Sequence, residues 1–286
     1  PREHLPNAYS LSSTMFQLGS VVGPTVAGVL IARSGVAAAY GFNAVSFLAV
    51  ILALLLMNPG VGRASERSGR VTLAAALEGL RFIRTRPIIS ATMLLDFFAT
   101  FFSSANALLP IFARDILNVG PVGYGWLVAA SSAGAAATGA ILSLFSRVRK
   151  QGPVLLIMVA IYGAATVLFG LSRSFALSLF ALALTGAADM VSMVIRNTIR
   201  NLQTPDGLRG RMTSVNMIFF MGGPQLGELE AGAVANWLGG PISVITGGIG
   251  CLLAVSWIAW RTPQLRQYMG EEPQPVIVPA VAVAGD

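Results

Sequence analysis

Eight stretches of this chain are apolar for the length of a bilayer crossing: roughly residues 8–32, 36–57, 88–112, 121–145, 153–171, 175–199, 212–237 and 240–260. A helix needs about 20 such residues, at about 1.5 Å each, to span a hydrocarbon core about 30 Å thick. Turn and capping residues separate the stretches: Arg33-Ser34-Gly35, Asn118-Val119-Gly120-Pro121, Gln151-Gly152-Pro153, Ser172-Arg173-Ser174 and Gly239-Gly240-Pro241. With 55% of 286 residues hydrophobic and 11% charged, against about 25% charged in a soluble domain, little is left from which to build a water-facing surface. The expected fold is an all-α membrane protein of eight transmembrane helices. Disorder, a coiled coil and a cytosolic enzyme are excluded.

The rare residues narrow the function. One cysteine, Cys251, excludes a disulfide framework, and one histidine, His4, excludes a His-rich metal site. The one lysine, Lys150, follows Arg149 where a phosphate loop needs glycine, so no nucleotide-gripping motif exists. No nucleophile–base pair is visible. The expectation is a non-enzyme with no cofactor and no metal.

A net charge of +7 would suggest nucleic acid in a soluble protein. Here the arginines follow the loops instead. Arg63, Arg67, Arg70, Arg81, Arg84 and Arg86 share one side with Arg147, Arg149 and Lys150, with Arg200, Arg209 and Arg211, and with Arg2, Arg261 and Arg266. The other side holds Arg33, Arg114 and Arg173, and Arg196 falls inside a helix. The positive-inside rule places the first group, and both termini, in the cytoplasm, which fits a multi-pass protein of the inner (cytoplasmic) membrane. The charge is an insertion signal, and no nucleic-acid partner is expected. Residues 71–86, with Leu73, Leu77, Leu80 and Ile83 at helical spacing, predict an amphipathic helix on the cytoplasmic interface. Residues 270–286, rich in Pro, Val and Ala, read as a disordered tail.

Sliding the chain against itself by 204 residues aligns Ser10 with Ser214, Phe16 with Phe220, Gly19 with Gly223, Gly23 with Gly227, Gly28 with Gly232 and Gly35 with Gly239. The copies lie six helices apart and begin on the same side, which is a parallel repeat. A period of six, with only two helices before the third, implies four missing N-terminal helices. The expected organisation is therefore helices five to twelve of a twelve-helix protein. Residues 1–57 close the first six-helix bundle, 58–86 form the central linker, 87–261 are the second bundle and 262–286 a cytoplasmic tail.

Gly19-x3-Gly23-Pro24-x2-Ala27-Gly28 resembles the antiporter motif on the fifth helix of exporters of the major facilitator superfamily, with Ala27 where the first glycine of a pair is usual. The loops Arg2-Glu3-His4-Leu5-Pro6-Asn7-Ala8 and Thr204-Pro205-Asp206-Gly207-Leu208-Arg209-Gly210-Arg211, with Gly222-Gly223-Pro224-Gln225-Leu226-Gly227-Glu228, resemble the branch of transmembrane secretion effectors that includes the enterobactin exporter. The superfamily's Asp/Arg-rich loop motif would recur at 139–150, where no aspartate occurs. The resemblance implies a secondary active exporter moving a small organic molecule, siderophore-like or drug-like, against protons. Uptake, or a non-transporting sensor or assembly subunit of the same fold, are the alternatives.

Charge within a span marks a cavity or a partner, because an unpaired charge at mid-bilayer is unfavourable by at least about 2.5 kcal/mol. The stretches 36–57, 153–171 and 240–260 carry none and are expected to face lipid; Asp96, Asp189, Arg196, Glu228 and Glu230 lie on the others. Asp96 and Asp189 are about nine and eleven residues from their cytoplasmic ends, near half depth. Arg196, two turns from Asp189 on the same face, either snorkels to the interface or meets Asp189 with both side chains stretched. Gln17 and Asn106 are single polar residues with a possible cavity role, and Phe97, Phe98, Phe101 and Phe102 read as packing residues. The expected substrate and proton pathway is Asp96, Asp189, Arg196 and Glu228. Asp96 or Glu228, taken as farther from arginine, is the expected proton carrier.

Overall fold

Gly35 divides the first helix. The computed structural model describes residues 5–56, 81–102, 105–144, 150–205 and 208–270. Most of the interfacial helix expected over 71–86, the centre of the 139–150 loop, the tail beyond 270 and the residues around His4 and Asp206 lie outside the described residues, as does the side chain of Gln17. Helix α1 (Leu5–Leu56) is two helices run together, with Gly35 at φ 78° and ψ 172° between them. Such a positive φ is open to glycine and strained for other residues. Helices α6 (Arg209–Leu238) and α7 (Gly240–Arg261) meet in the same way at Gly239, φ 87° and ψ 156°. The two turns stand 204 residues apart, the offset of the sequence repeat.

Between them run α2 (Pro87–Phe102), α3 (Gly120–Ser143), α4 (Gln151–Leu171) and α5 (Phe175–Gln203). The span that begins with α2 is not the continuous helix expected to 112. Beyond Phe102 come a 3-10 turn (Ala105–Leu108), one short α turn (Leu109–Ile111) and a π turn (Phe112–Ile116). Pro110 explains the irregularity, since it has no N–H to bond back along an α-helix. Among the described residues six helical stretches are long and apolar enough to cross a membrane. Val22–Leu56 among them runs from within the first limb of α1 through the second. Thirty-residue α6 is less apolar because it carries Asn216, Gln225, Glu228 and Glu230, but it is long enough to span at about 1.5 Å per residue. The architecture is that of an all-α, multi-pass membrane protein.

Helix α3 packs against α5 and the first limb of α1, α4 lies between α5 and α7, and α2 lies against α6 and α7. Leu95, Leu155, Val159, Ile195, Ile199, Val255 and Ile258 form the largest shared core. Helix α4, uncharged and expected to face lipid, therefore buries one face deeply, including Thr166 and Phe169. Residues 36–56 do the opposite and present apolar side chains such as Phe47, Leu52 and Leu55 outward along nearly the whole limb. That surface suits acyl chains or further helices, not water.

The packing of residues 81–93 and 262–270 holds details the sequence did not show. Ile83, expected on the bilayer interface, packs with Ile89, Met93, Met212 and Val215, and Ser90 Oγ donates to its carbonyl at 2.6 Å. After α7 the chain turns back through α8 (Pro263–Gln267), burying Leu265 completely and Tyr268 to 8% exposure. The Gly152 N–H donates to the Tyr268 carbonyl at 3.0 Å, and Gln203 Nε2 lies 3.4 Å from the Tyr268 hydroxyl. Residues 262–270, read from the sequence as the start of the tail, thus pack on the bundle. Leu265 and Tyr268, one turn apart, dock residues 262–270 onto the ends of α4 and α5.

Candidate functional site

Helix α5 carries a polar stripe. Asp189, Ser192, Arg196 and Arg200 recur at intervals that hold them to one helical face. Arg196 Nη2 stands 3.2 Å from Asp189 Oδ1 and 3.1 Å from Asp96 Oδ1, which arrives from α2. Its Nη1 donates to Ser192 Oγ at 2.8 Å. Arg200 Nη1 approaches the second oxygen of Asp96 at 3.8 Å, while its Nε donates to the Arg196 carbonyl and its Nη2 to Asn197 Oδ1. Two carboxylates and two guanidinium groups thus close a neutral cluster. A buried charge is tolerated when it is paired, and Asp96 meets both arginines as ion pairs, its Oδ1 without a hydrogen bond.

The pairing is asymmetric. The Asp96 side chain is 3% exposed and that of Asp189 is 49% exposed. One guanidinium therefore bridges a buried carboxylate and a half-exposed one. This geometry corrects the expectation that Asp96 stands clear of arginine: α2 passes α5 at the height of Arg196. It also corrects the placing of Arg200 in a cytoplasmic loop, since α5 continues to Gln203 and keeps Arg200 inside the bundle. Arg196 itself is buried in this cluster, not snorkelling. Four residues after Arg196, Arg200 shares its face, and that spacing was the available signal.

Glu228 does not join them. It is exposed and forms no ion pair among the described residues. Helix α6 turns the opposite side inward, where Gly227 is buried and Gly223 sits against Phe97 and Thr100 of α2. The four expected pathway residues therefore divide into a joined trio, Asp96, Asp189 and Arg196, and a separate Glu228. The phenylalanines of α2 stack on one another, and Phe97 meets Phe219 edge-on, as packing residues do.

Beside Asp189 lies a cavity of about 210 Å³, walled by Thr100, Asn106, Ser131, Tyr162, Thr166, Phe169, Leu182, Thr185 and Asp189. Helices α2 to α5 and the 3-10 turn all contribute to it. Asn106 has the cavity position the sequence allowed. The hydroxyl residues went unnoticed because Ser and Thr inside a helix bond to their own backbone and leave no periodic mark.

The antiporter glycines have one tight contact. A Cβ on Gly28 would stand 2.7 Å from the Pro121 carbonyl oxygen and 3.1 Å from Gly125 Cα; one on Gly125 would meet the Pro24 carbonyl. Helices α1 and α3 thus cross backbone to backbone at Gly28 and Gly125, one turn from Pro24 and Pro121 respectively. A Cβ on Gly19 or Gly23 would meet nothing within 4 Å among the described residues. The motif's contact with the second bundle rests on Gly28 and the carbonyl of Pro24.

Residues 1–280 match the family of the transmembrane secretion effectors. The chain is 30% identical over 279 residues to the enterobactin exporter EntS of Escherichia coli O1:K1 / APEC, and 29% identical over 277 residues to the enterobactin exporter EntS of Shigella boydii serotype 18. Each alignment covers 96% of this chain and 65% of the relative, so the chain spans about two thirds of the length of the curated relatives it matches. The helical architecture, the antiporter-like crossing and this similarity over nearly its whole length agree: the chain belongs to the transmembrane secretion effector family of the major facilitator superfamily.

Proposed function

We propose that the full-length protein is a secondary active exporter, moving a small organic molecule of siderophore-like or drug-like character outward in exchange for protons. The observation that carries this reading is the single guanidinium of Arg196, shared between buried Asp96 and half-exposed Asp189. Charged groups inside a membrane bundle mark ion and substrate pathways, and a shared counter-ion gives the cluster a second arrangement whenever one carboxylate changes its charge. The relatives named as enterobactin exporters support the outward direction and the size class of the cargo.

In this reading residues 1–57 end the first six-helix bundle, 58–86 link the halves, and 87–261 with the docked 262–270 form the second bundle. Both termini face the cytoplasm, the protein sits in the cytoplasmic membrane, and the two bundles rock about a mid-membrane site. The Gly28–Gly125 crossing is where the halves bear on each other.

The test is deletion of the full-length gene with mass spectrometry of cells and medium. A compound retained by the deletion strain, and released again on complementation, is expected. Complementation by the Asp96→Asn/Asp189→Asn double variant should fail. Identical profiles in the deletion and parent strains would reject the exporter reading.

A further inference from the structure

The cavity beside the ion cluster has a definite polarity. Thr100 Oγ1 donates to the Asp96 carbonyl at 2.8 Å, Thr166 Oγ1 to the Tyr162 carbonyl at 2.9 Å, and Thr185 Oγ1 to the Leu182 carbonyl at 2.6 Å. With their hydrogens turned to their own helices, these hydroxyls offer the cavity oxygen lone pairs. Asp189 adds a carboxylate, while Asn106, Ser131 and Tyr162 add groups that both donate and accept. An acceptor-rich wall suits water and hydronium and disfavours an anion.

Volume points the same way. At about 30 Å³ per water, 210 Å³ holds about seven molecules, too little for a siderophore-sized cargo. Polar cavities of this size are wet, whereas apolar ones stay dry.

The cavity also has a direction. Its residues run from mid-helix, at Ser131 on α3, Tyr162 on α4 and Asp189 on α5, to Asn106 beyond the end of α2 and Phe169 in the last turn of α4, towards the face that carries the Ser172–Ser174 turn. Asn106 is exposed at that end, and Thr166 and Thr185 are buried further in. The charged and titratable groups around Asp189 are Arg196 and Arg200 on its own helix, Asp96 on α2 and Tyr162 on α4; α3 brings only the Ser131 hydroxyl.

We propose that this chamber is a hydrated vestibule that brings protons to Asp189 from the membrane face opposite the basic loops, and that Asp189, not Asp96 or Glu228, takes the coupling proton. Hydronium reaching the chamber gives its proton to a carboxylate oxygen of Asp189, and water remains. Arg196 then keeps Asp96 as its one ionised partner, and Asp96, dry and held by two arginines, does not exchange. The inference rests on the proton-exchange reading above and names the group and route within it.

The experiment uses reconstituted full-length protein with Cys251→Ala, since Cys251 is buried. Single cysteines replace Thr166 or Thr185 and are exposed to silver ion, about as small as a hydrated proton carrier, or to a bulky maleimide. Both cysteines should be blocked by silver and spared by the maleimide. In parallel, an infrared pH titration follows the C=O band of a protonated carboxyl. That band should vanish in Asp189→Asn and persist in Asp189→Glu, which also controls for folding. Failure of silver to react at both cysteines, or a band indifferent to Asp189→Asn, would overturn the proposal. Neither readout needs a cargo. A wild type that shows silver access and the Asp189 band, yet no pH-driven efflux of enterobactin as probe, keeps the vestibule and rejects proton-coupled export of that probe.

Discussion

At the scale of the residue, Arg196 decides what each neighbour can lose. Asp96→Asn leaves Arg200 without a carboxylate and Arg196 with Asp189 alone, all within a buried site. Removing one member of a buried ion pair typically destabilises by about 3–5 kcal/mol, because the remaining charge is uncompensated. Asp96→Asn should therefore lower the thermal unfolding midpoint in detergent markedly. Asp189→Asn should lower it much less, because half of that carboxylate is already exposed. Equal losses from the two variants would mean that the asymmetry in burial has no energetic weight. Asp96, Asp189 and Arg196 were legible in the sequence, since a charge stands out in an apolar run. Their partners were not. Arg200 sits near a helix end, where the positive-inside rule already accounts for an arginine. Whether α2 meets α5 at the height of Arg196 depends on helix packing, which no local pattern states. The same limit placed Asp96 too far from arginine and hid that Glu228 stands apart from the cluster.

Among the elements, α1 and α3 carry the most specific contact. Two backbones meet where Gly28 and Gly125 face each other, and neither position has room for a side chain. Gly28→Leu and Gly125→Leu in the full-length protein should still insert in the membrane but lose export. Gly23→Leu should be milder, because the second bundle presents nothing near that position. Cellular efflux of the native cargo, corrected for membrane abundance by immunoblot, ranks the three. If Gly23→Leu proves the most damaging, its contact lies outside the described residues and the crossing is ordinary packing. The spacing of the glycines was visible in the sequence, and so was the turn at Gly35. Which glycine touches α3 was not, since that depends on the rotation of the helix about its axis. The break near Pro110 was likewise hidden inside an apolar run that read as one span.

For the molecule as a whole, the order and number of its helical limbs followed from hydropathy and turns, and the 204-residue repeat reappears as matching glycine turns at Gly35 and Gly239. What hydropathy does not encode is enclosure. A chamber walled by four helices comes from residues far apart in the chain, each unremarkable alone. Orientation is open to direct test in a Cys251→Ala background. Cysteines at Ser34 or Ser174 should react with an impermeant thiol reagent added outside the cell, and cysteines at Thr85 or Gln267 only after lysis. The reverse pattern would invert the topology and turn the chamber towards the cytoplasm. The return of residues 262–270 onto the bundle has a practical side for protein engineering. Purification tags and fluorescent fusions appended beyond residue 270 leave Leu265 and Tyr268 seated, whereas a fusion joined at Arg261 would strip a plug from the ends of α4 and α5 and yield a loosened protein whose poor behaviour could be mistaken for a transport defect.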